Sequence, residues 1–170
     1  MANQLSREDI LGQLDQKVIG YFATSGHCAQ STFLALQEQF ALDDGAIVRA
    51  LTPFPGIAFR GETCGAVVGC LIALGLVYGR ERLDDGPGII ASMIPAATFC
   101  RRFEEEFGST MCGDILESQL GKRFSVAEPA EFDEYVAAFQ EYIAAGGLEK
   151  CGALARKAVR IAAEVILDKG

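Results

Sequence analysis

Six cysteines, Cys28, Cys64, Cys70, Cys100, Cys112 and Cys151, carry most of the reactive chemistry available to this chain of 170 residues. The thiolate is the form that attacks disulfides and binds metal, so local charge decides which cysteines are active. Four share a setting. Cys28 follows Ser25-Gly26-His27, Cys64 follows Gly61-Glu62-Thr63, Cys112 follows Gly108-Ser109-Thr110-Met111, and Cys151 follows Gly146-Gly147. Each lead-in reads as a helix start, where unpaired N–H groups and the positive end of the helix dipole stabilise a thiolate. Cys70 lies six residues beyond Cys64 on another face of the same helix, and Cys100 ends an apolar stretch. Those two read as packing thiols.

The four are separated by 36, 48 and 39 residues and contain no C-x-x-C. A thioredoxin-type motif, a ferredoxin run and a zinc knuckle are therefore absent as local signatures. No C-x-x-C-H is present, so covalent haem is not expected. If the four act together, the fold must gather them from four helix ends. A four-thiolate set suits an iron–sulfur cluster or a tetrahedral metal. Two other readings stay open: a metal-free dithiol/disulfide oxidoreductase or thiol redox sensor, and a non-redox helical binding module whose cysteines only pack. Reactivity is expected first at Cys64 and Cys28. For Cys64, the helix start, Arg60 and the small Gly61 and Gly65 favour a lowered pKa, against Glu62 and any burial.

The only histidine, His27, precedes Cys28 and reads either as a ligand or proton carrier or as a residue at a helix start. Arg60 and Glu62 flank Cys64. Glu104-Glu105-Glu106 reads as a solvated face. Neither a phosphate loop nor a dinucleotide fingerprint occurs, so no nucleotide is expected. The formal net charge is −8, the wrong field for nucleic acid or an anionic membrane. The start, Met1 to Asp9, lacks the basic and apolar regions of a signal peptide, which points to the cytoplasm. In that reducing compartment cysteine sets are more often metal-binding, catalytic or redox-active than disulfide frameworks.

The elements that must position these residues are helical. Ser6 and Asp9 form a capping box for a helix carrying Ile10, Leu11, Leu14, Val18 and Ile19 on one face. Ser25 is placed to cap a second helix, Cys28 to Phe40, and Asp43-Asp44-Gly45 to open a third. Pro53-Phe54-Pro55-Gly56 reads as a turn. Gly61, Gly65, Gly69 and Ala73 recur every four residues, a stripe that calls for close approach of another backbone, a cluster or a ligand. Further helices are expected at Ile89 to Phe107, Cys112 to Leu120, through the stripe Phe132, Tyr135, Val136, Phe139, Tyr142 and Ile143, and at Cys151 to Leu167. Gly121 to Pro129 reads as a loop. The apolar run Cys64 to Tyr78 is shorter than the roughly 20 residues of a membrane span, so no membrane insertion is expected.

Cys64-Gly65-Ala66-Val67-Val68-Gly69, followed by Leu74-Gly75-Leu76-Val77-Tyr78-Gly79-Arg80, forms a motif. With His27-Cys28-Ala29-Gln30, Phe107-Gly108-Ser109-Thr110-Met111-Cys112 and Cys151 around it, the chain resembles the redox-active protein family named C_GCAxxG_C_C over roughly residues 15 to 167. The resemblance implies a small helical redox protein built on four cysteines. That family is also similar to a domain of split-Soret cytochrome c, where an iron–sulfur site accompanies haem; only the cluster half carries over here. Where the family has a glycine-rich run before the motif, this chain has Phe54-Pro55-Gly56-Ile57-Ala58-Phe59.

The expectation is one compact all-α domain over residues 1–170, of about six to eight helices, with Gly65, Gly69 and Ala73 at a close helix crossing. Cys28, Cys64, Cys112 and Cys151 are the expected ligands of an iron–sulfur cluster serving an unidentified redox partner. The apolar surplus and the resemblance suggest a homodimer.

Overall fold

A computed structural model describes residues 5–42, 45–126 and 131–169. The expected helix start at Asp43-Asp44, the loop residues Ala127 to Pro129 and the first four residues lie outside these. Nine helices occur among the described residues: α1 (Arg7–Ser25), α2 (Cys28–Gln39), α3 (Gly45–Ala50), α4 (Gly56–Phe59), α5 (Gly65–Tyr78), α6 (Gly86–Phe107), α7 (Cys112–Leu120), α8 (Phe132–Ala144) and α9 (Gly147–Leu167). The very short α3 and α4 lift the number above the expected six to eight. No described strand is present, only an isolated antiparallel bridge between Thr63 and Met111.

Helices α2, α5 and α9 pack against one another; α1 lies across α2 and α9, and α6 across α5 and α9. The Ser6–Asp9 capping box opens α1 as expected, and Leu11, Leu14, Val18 and Phe22 face inward. Ile19 instead stands exposed on the other side. Asp15, buried on the inner face, accepts from Arg156 at 2.9 Å and Arg160 at 3.0 Å, tying α1 to α9. One carboxylate oxygen receives both contacts, while the other, Oδ1, is buried without a partner. Both arginines keep contact with solvent, at 52% and 30% exposure, so the pairing links α1 to α9 at the edge of the core.

The α2–α5 crossing answers to the glycine stripe. A Cβ on Gly69 would fall 2.3 Å from Thr32 Oγ1 and 2.4 Å from the Ala29 carbonyl oxygen; one on Gly65 would fall 2.5 Å from the Cys28 sulfur. The two backbones approach as closely as they do because those side chains are missing. Ala73 continues the contact, fully buried. Gly61 does not belong to this helix: α5 starts at Gly65, and Gly61 lies in the lead-in with φ 76°.

Three further boundaries differ from the sequence reading. Ser25 ends α1, and His27 caps α2 in its place. α6 begins at Gly86, capped by Asp85, and runs through Pro95. α9 begins at Gly147, a turn before Cys151, because Gly146 takes a left-handed φ of 84° and resets the chain direction. The apolar stripe of α8 is mostly not buried. Only Tyr142 is packed away, while Phe132, Val136, Phe139 and Ile143 are exposed.

Candidate functional site

Three short backbone hydrogen bonds place Cys64 and Cys112 side by side. Cys64 N–H donates to the Thr110 carbonyl at 2.8 Å, Cys112 N–H to the Glu62 carbonyl at 2.7 Å, and Gly113 N–H to the Gly61 carbonyl at 2.9 Å. The bridge between Thr63 and Met111 lies between these bonds. The lead-in to α5 is thereby zipped to the lead-in to α7. Cys64 occupies the N-cap of α5 and Cys112 the first residue of α7.

Cys28 reaches the pair from α2, where it is the first helical residue. Gly65 makes room for its sulfur, as described above. His27 fixes the entry to that helix. Its Nδ1 accepts the Gln30 N–H at 3.1 Å, which leaves Nε2 as the protonated nitrogen, donating to the Thr52 carbonyl at 3.0 Å. Both nitrogens are thus engaged with backbone, which makes His27 an anchor of α2 at the edge of the cysteine cavity.

Cys151 comes from the second turn of α9, not the first as the sequence suggested. A cavity of about 120 Å³ is walled by Cys28, Cys112 and Cys151, together with Phe59, Phe139 and Tyr142. Cys64 is buried outside that wall, but its charge acts on Cys28 and Cys112 before that of any other residue. Cys64 acts on Cys70 in the same way, so this coupling does not by itself set four of the six cysteines apart. Cys70 is fully buried in α5 beside Thr32 of α2, and Cys100 is half-buried on α6 against the core. Neither reaches the cavity, which matches their reading as packing thiols.

Burial, then repulsion between the sulfurs, decides the protonation of these cysteines. Loss of water pushes the Cys28 thiol well up, with Cys64, Cys151 and Cys112 adding to it. Cys64 is pushed up to about 12, by burial first and Cys151 second; the Ala66 and Val67 amides pull it back without closing a cap hydrogen bond. The lowered pKa expected at Cys64 is thus overturned. The helix start exerts its pull, but desolvation outweighs it. Arg60 gives no help, being paired with Glu62 at 2.9 Å in solvent. Burial and the neighbouring thiols also raise Cys112, against a downward pull from Arg123. Arg123 is itself held by Asp114 at 2.5 Å and Glu117 at 3.2 Å.

Tyr142 was legible in the sequence only as an apolar stripe residue. Its ring packs edge-on to Phe59 and Phe124, at 6.0 Å each, and stacks on Phe139 at 5.6 Å. Gly147 leaves space for it, since a Cβ there would lie 2.1 Å from the ring. The hydroxyl is directed to the Cys151 sulfur and offsets part of the upward push of burial on that thiol. A tyrosine nearly three turns along an apolar stripe, nine residues before a cysteine, carries no motif that would have disclosed this.

The segment before the motif forms the remaining wall. Gly56, Ile57, Ala58 and Phe59 all have positive φ, between 48° and 57°, so α4 is a left-handed turn. Side-chain-bearing residues pay roughly 1–2 kcal/mol each in that region. Hydrogen bonds hold the turn: Phe59 N–H to the Pro55 carbonyl at 2.8 Å, and Val126 N–H to the Phe59 carbonyl at 2.7 Å. At Gly56 a Cβ would lie 3.2 Å from both Cβ and Sγ of Cys112. The chain keeps a glycine where the backbone passes the cysteine and tolerates strain at the next three positions.

Among the described residues, no group of three or more His, Cys, Asp or Glu is gathered tightly enough to hold a metal ion. A tetrahedral zinc, with Zn–S near 2.3 Å, draws its sulfurs to a single point. Here Cys28, Cys112 and Cys151 instead line a space, with Cys64 buried outside its wall. An iron–sulfur cluster places several atoms between its thiolates, and an all-sulfur donor set with aromatic walls suits such a group.

No curated protein and no solved structure matches the chain significantly. Residues 26–165 match the family model described as "Putative redox-active protein (C_GCAxxG_C_C)". The matched span includes all six cysteines, and it takes in every wall of the cavity except Phe22 and Ser25. The chain belongs to the C_GCAxxG_C_C family.

Proposed function

We propose that this protein is an electron-transfer protein whose Cys28, Cys64, Cys112 and Cys151 hold an iron–sulfur cluster. The observation supporting this reading is that Cys28, Cys112 and Cys151, from three helices, line one cavity, with Cys64 joined to Cys112 by the paired lead-ins of α5 and α7. Such a cluster supplies electron transfer with little change in geometry when bound. The chain's own groups do the rest. Loading would take the protons of the four thiols, and the iron charge would offset the repulsion between the thiolates so formed. The Phe59, Phe139 and Tyr142 rings would wall the group on one side, and the Tyr142 hydroxyl directs a hydrogen-bond donor at Cys151. Arg123 contributes the positive field at Cys112.

The reading includes a reducing, cytoplasmic setting and a redox partner that exchanges electrons with the site. It also includes a homodimer, for which Ile90, Met93 and Ile94, exposed on one face of α6, offer an apolar surface. A monomer mass in light scattering would remove that part. No described helix is long and apolar enough to cross a membrane. Anaerobic reconstitution with ferrous iron and sulfide tests the main claim: a brown protein with broad visible absorbance is expected, and a colourless, iron-free one would defeat it.

One observation favours a second reading. All six cysteines are free thiols, and no described trio is spaced for a single ion. A metal-free dithiol/disulfide couple would need only two of the four within bridging reach, with Cα atoms about 4.4–6.8 Å apart. Reversible loss of two thiols in air, without iron, would select it.

A further inference from the structure

A second hollow, of about 350 Å³, lies on the outer side of the aromatic wall. Pro53, Pro55 and Ala58 line it on one side, and Phe59, Val136 and Phe139 on the other. It shares Pro55, Phe59 and Phe139 with the cysteine cavity, so a molecule in it would be one side chain away from the thiol-lined space. Its volume lies at the lower end of the range for small-molecule sites, about 300–1,000 Å³, and is too small for a peptide helix.

The lining chooses among ligands. None of its residues is charged. In a chain of net charge −8 this leaves no countercharge for the phosphates of a nicotinamide or flavin nucleotide. Aromatic faces and proline rings suit a flat, uncharged ring. The Thr52 hydroxyl is already engaged, donating to the Arg49 carbonyl at 2.8 Å and accepting from Gln30 at 3.1 Å, while Tyr135 offers a hydroxyl at the rim. One wall is the strained left-handed turn, a conformation kept where surroundings over-determine it.

We infer that this hollow is a binding site for an uncharged quinone-class ring, seated against Phe59 and Phe139 beside the cysteine site. The quinone class, rather than any other flat ring, rests on the redox reading above. Durohydroquinone is a suitable probe because its four methyl groups block addition of thiols to the ring. In anaerobic equilibrium dialysis the full chain should bind it saturably, one per chain. Val136→Trp, which fills the hollow from α8, should weaken binding at least tenfold and leave the iron content and thiol count unchanged.

Anthraquinone-2-sulfonate, a charged ring, should not compete, and this arm does not depend on any variant folding. Non-saturable uptake by the unmodified protein, unchanged binding by a folded Val136→Trp, or full competition by the sulfonate would each overturn the inference. So would a change in mass on light scattering of Val136→Trp, since a second copy would then be the occupant. Running the dialysis on iron-loaded and on metal-free protein separates the claims. A chain that takes no iron yet binds the ring loses the cluster reading and keeps this site. An iron-loaded chain that ignores the ring does the reverse.

Discussion

At the scale of single residues, the site depends on side chains that are missing as much as on those present. Gly65→Ala would drive a Cβ into the Cys28 sulfur, 2.5 Å away, and Gly69→Ala would meet the Ala29 carbonyl oxygen. Overpacking of that kind costs about 1–3 kcal/mol. Urea unfolding should show both variants destabilised, and Gly65→Ala should also impair cluster loading because it displaces a ligand. Gly75→Ala is the control. It lies exposed in the same helix with open space around it, and stability should rise by up to about 1 kcal/mol. Cysteine reactivity follows exposure rather than helix position. In metal-free reduced protein, a brief iodoacetamide pulse mapped by mass spectrometry should label half-buried Cys100 before Cys64, whose thiol is pushed up to about 12. Labelling of Cys64 first would show that the helix start outweighs burial after all.

At the scale of elements, the left-handed turn α4 is the costliest local conformation beside the site. Ala58 is exposed there at φ 55°, where glycine carries no Cβ penalty. Ala58→Gly should therefore stabilise the protein by roughly 0.5–1 kcal/mol, seen as a higher urea midpoint at unchanged slope. Prolines and a glycine disclosed a turn over Pro53 to Gly56, but not its hand, because Ile57, Ala58 and Phe59 give no local signal for positive φ. Long helices were legible from periodicity and, for α1, from the Ser6–Asp9 cap; the left-handed C-caps Gly108 and Gly121 of α6 and α7 emerge from the structure. The lead-in pairing of Thr63 with Met111 was not, since an isolated bridge spanning 48 residues has no repeat of its own. The α8 stripe misled in the other direction. Its period is helical, yet most of it faces solvent, because period alone does not say what covers a face.

At the scale of the whole molecule, burying several thiols couples stability to pH. A buried cysteine holds its proton to higher pH in the folded chain than in the unfolded one, where the thiol titrates near 8.5. The unfolded state then binds fewer protons above that value, and folding weakens as pH rises. For Cys64 the loss should run from about pH 8.5 toward its folded value of about 12, at up to about 1.4 kcal/mol per pH unit. Thermal melts of the metal-free protein should fall across this alkaline range and stay level between pH 6 and 8. Cys64→Ser should flatten the fall. Helix starts at Cys28, Cys64 and Cys112 were legible in the sequence, while the place of Cys151 a turn into α9 and the aromatic wall beside the cysteines were not. That wall joins residues 59, 139 and 142, which only the folded chain brings together.

The central claim is that these four cysteines, and not the other two, are the ligands of one cluster. Iron per chain after anaerobic reconstitution, measured in parallel on six single-cysteine variants, tests it most directly. Cys28→Ser, Cys64→Ser, Cys112→Ser and Cys151→Ser should each lose most of the iron and the visible absorbance, while Cys70→Ala and Cys100→Ala keep both. Equal iron in all six variants, or loss confined to Cys70→Ala and Cys100→Ala, would contradict the account.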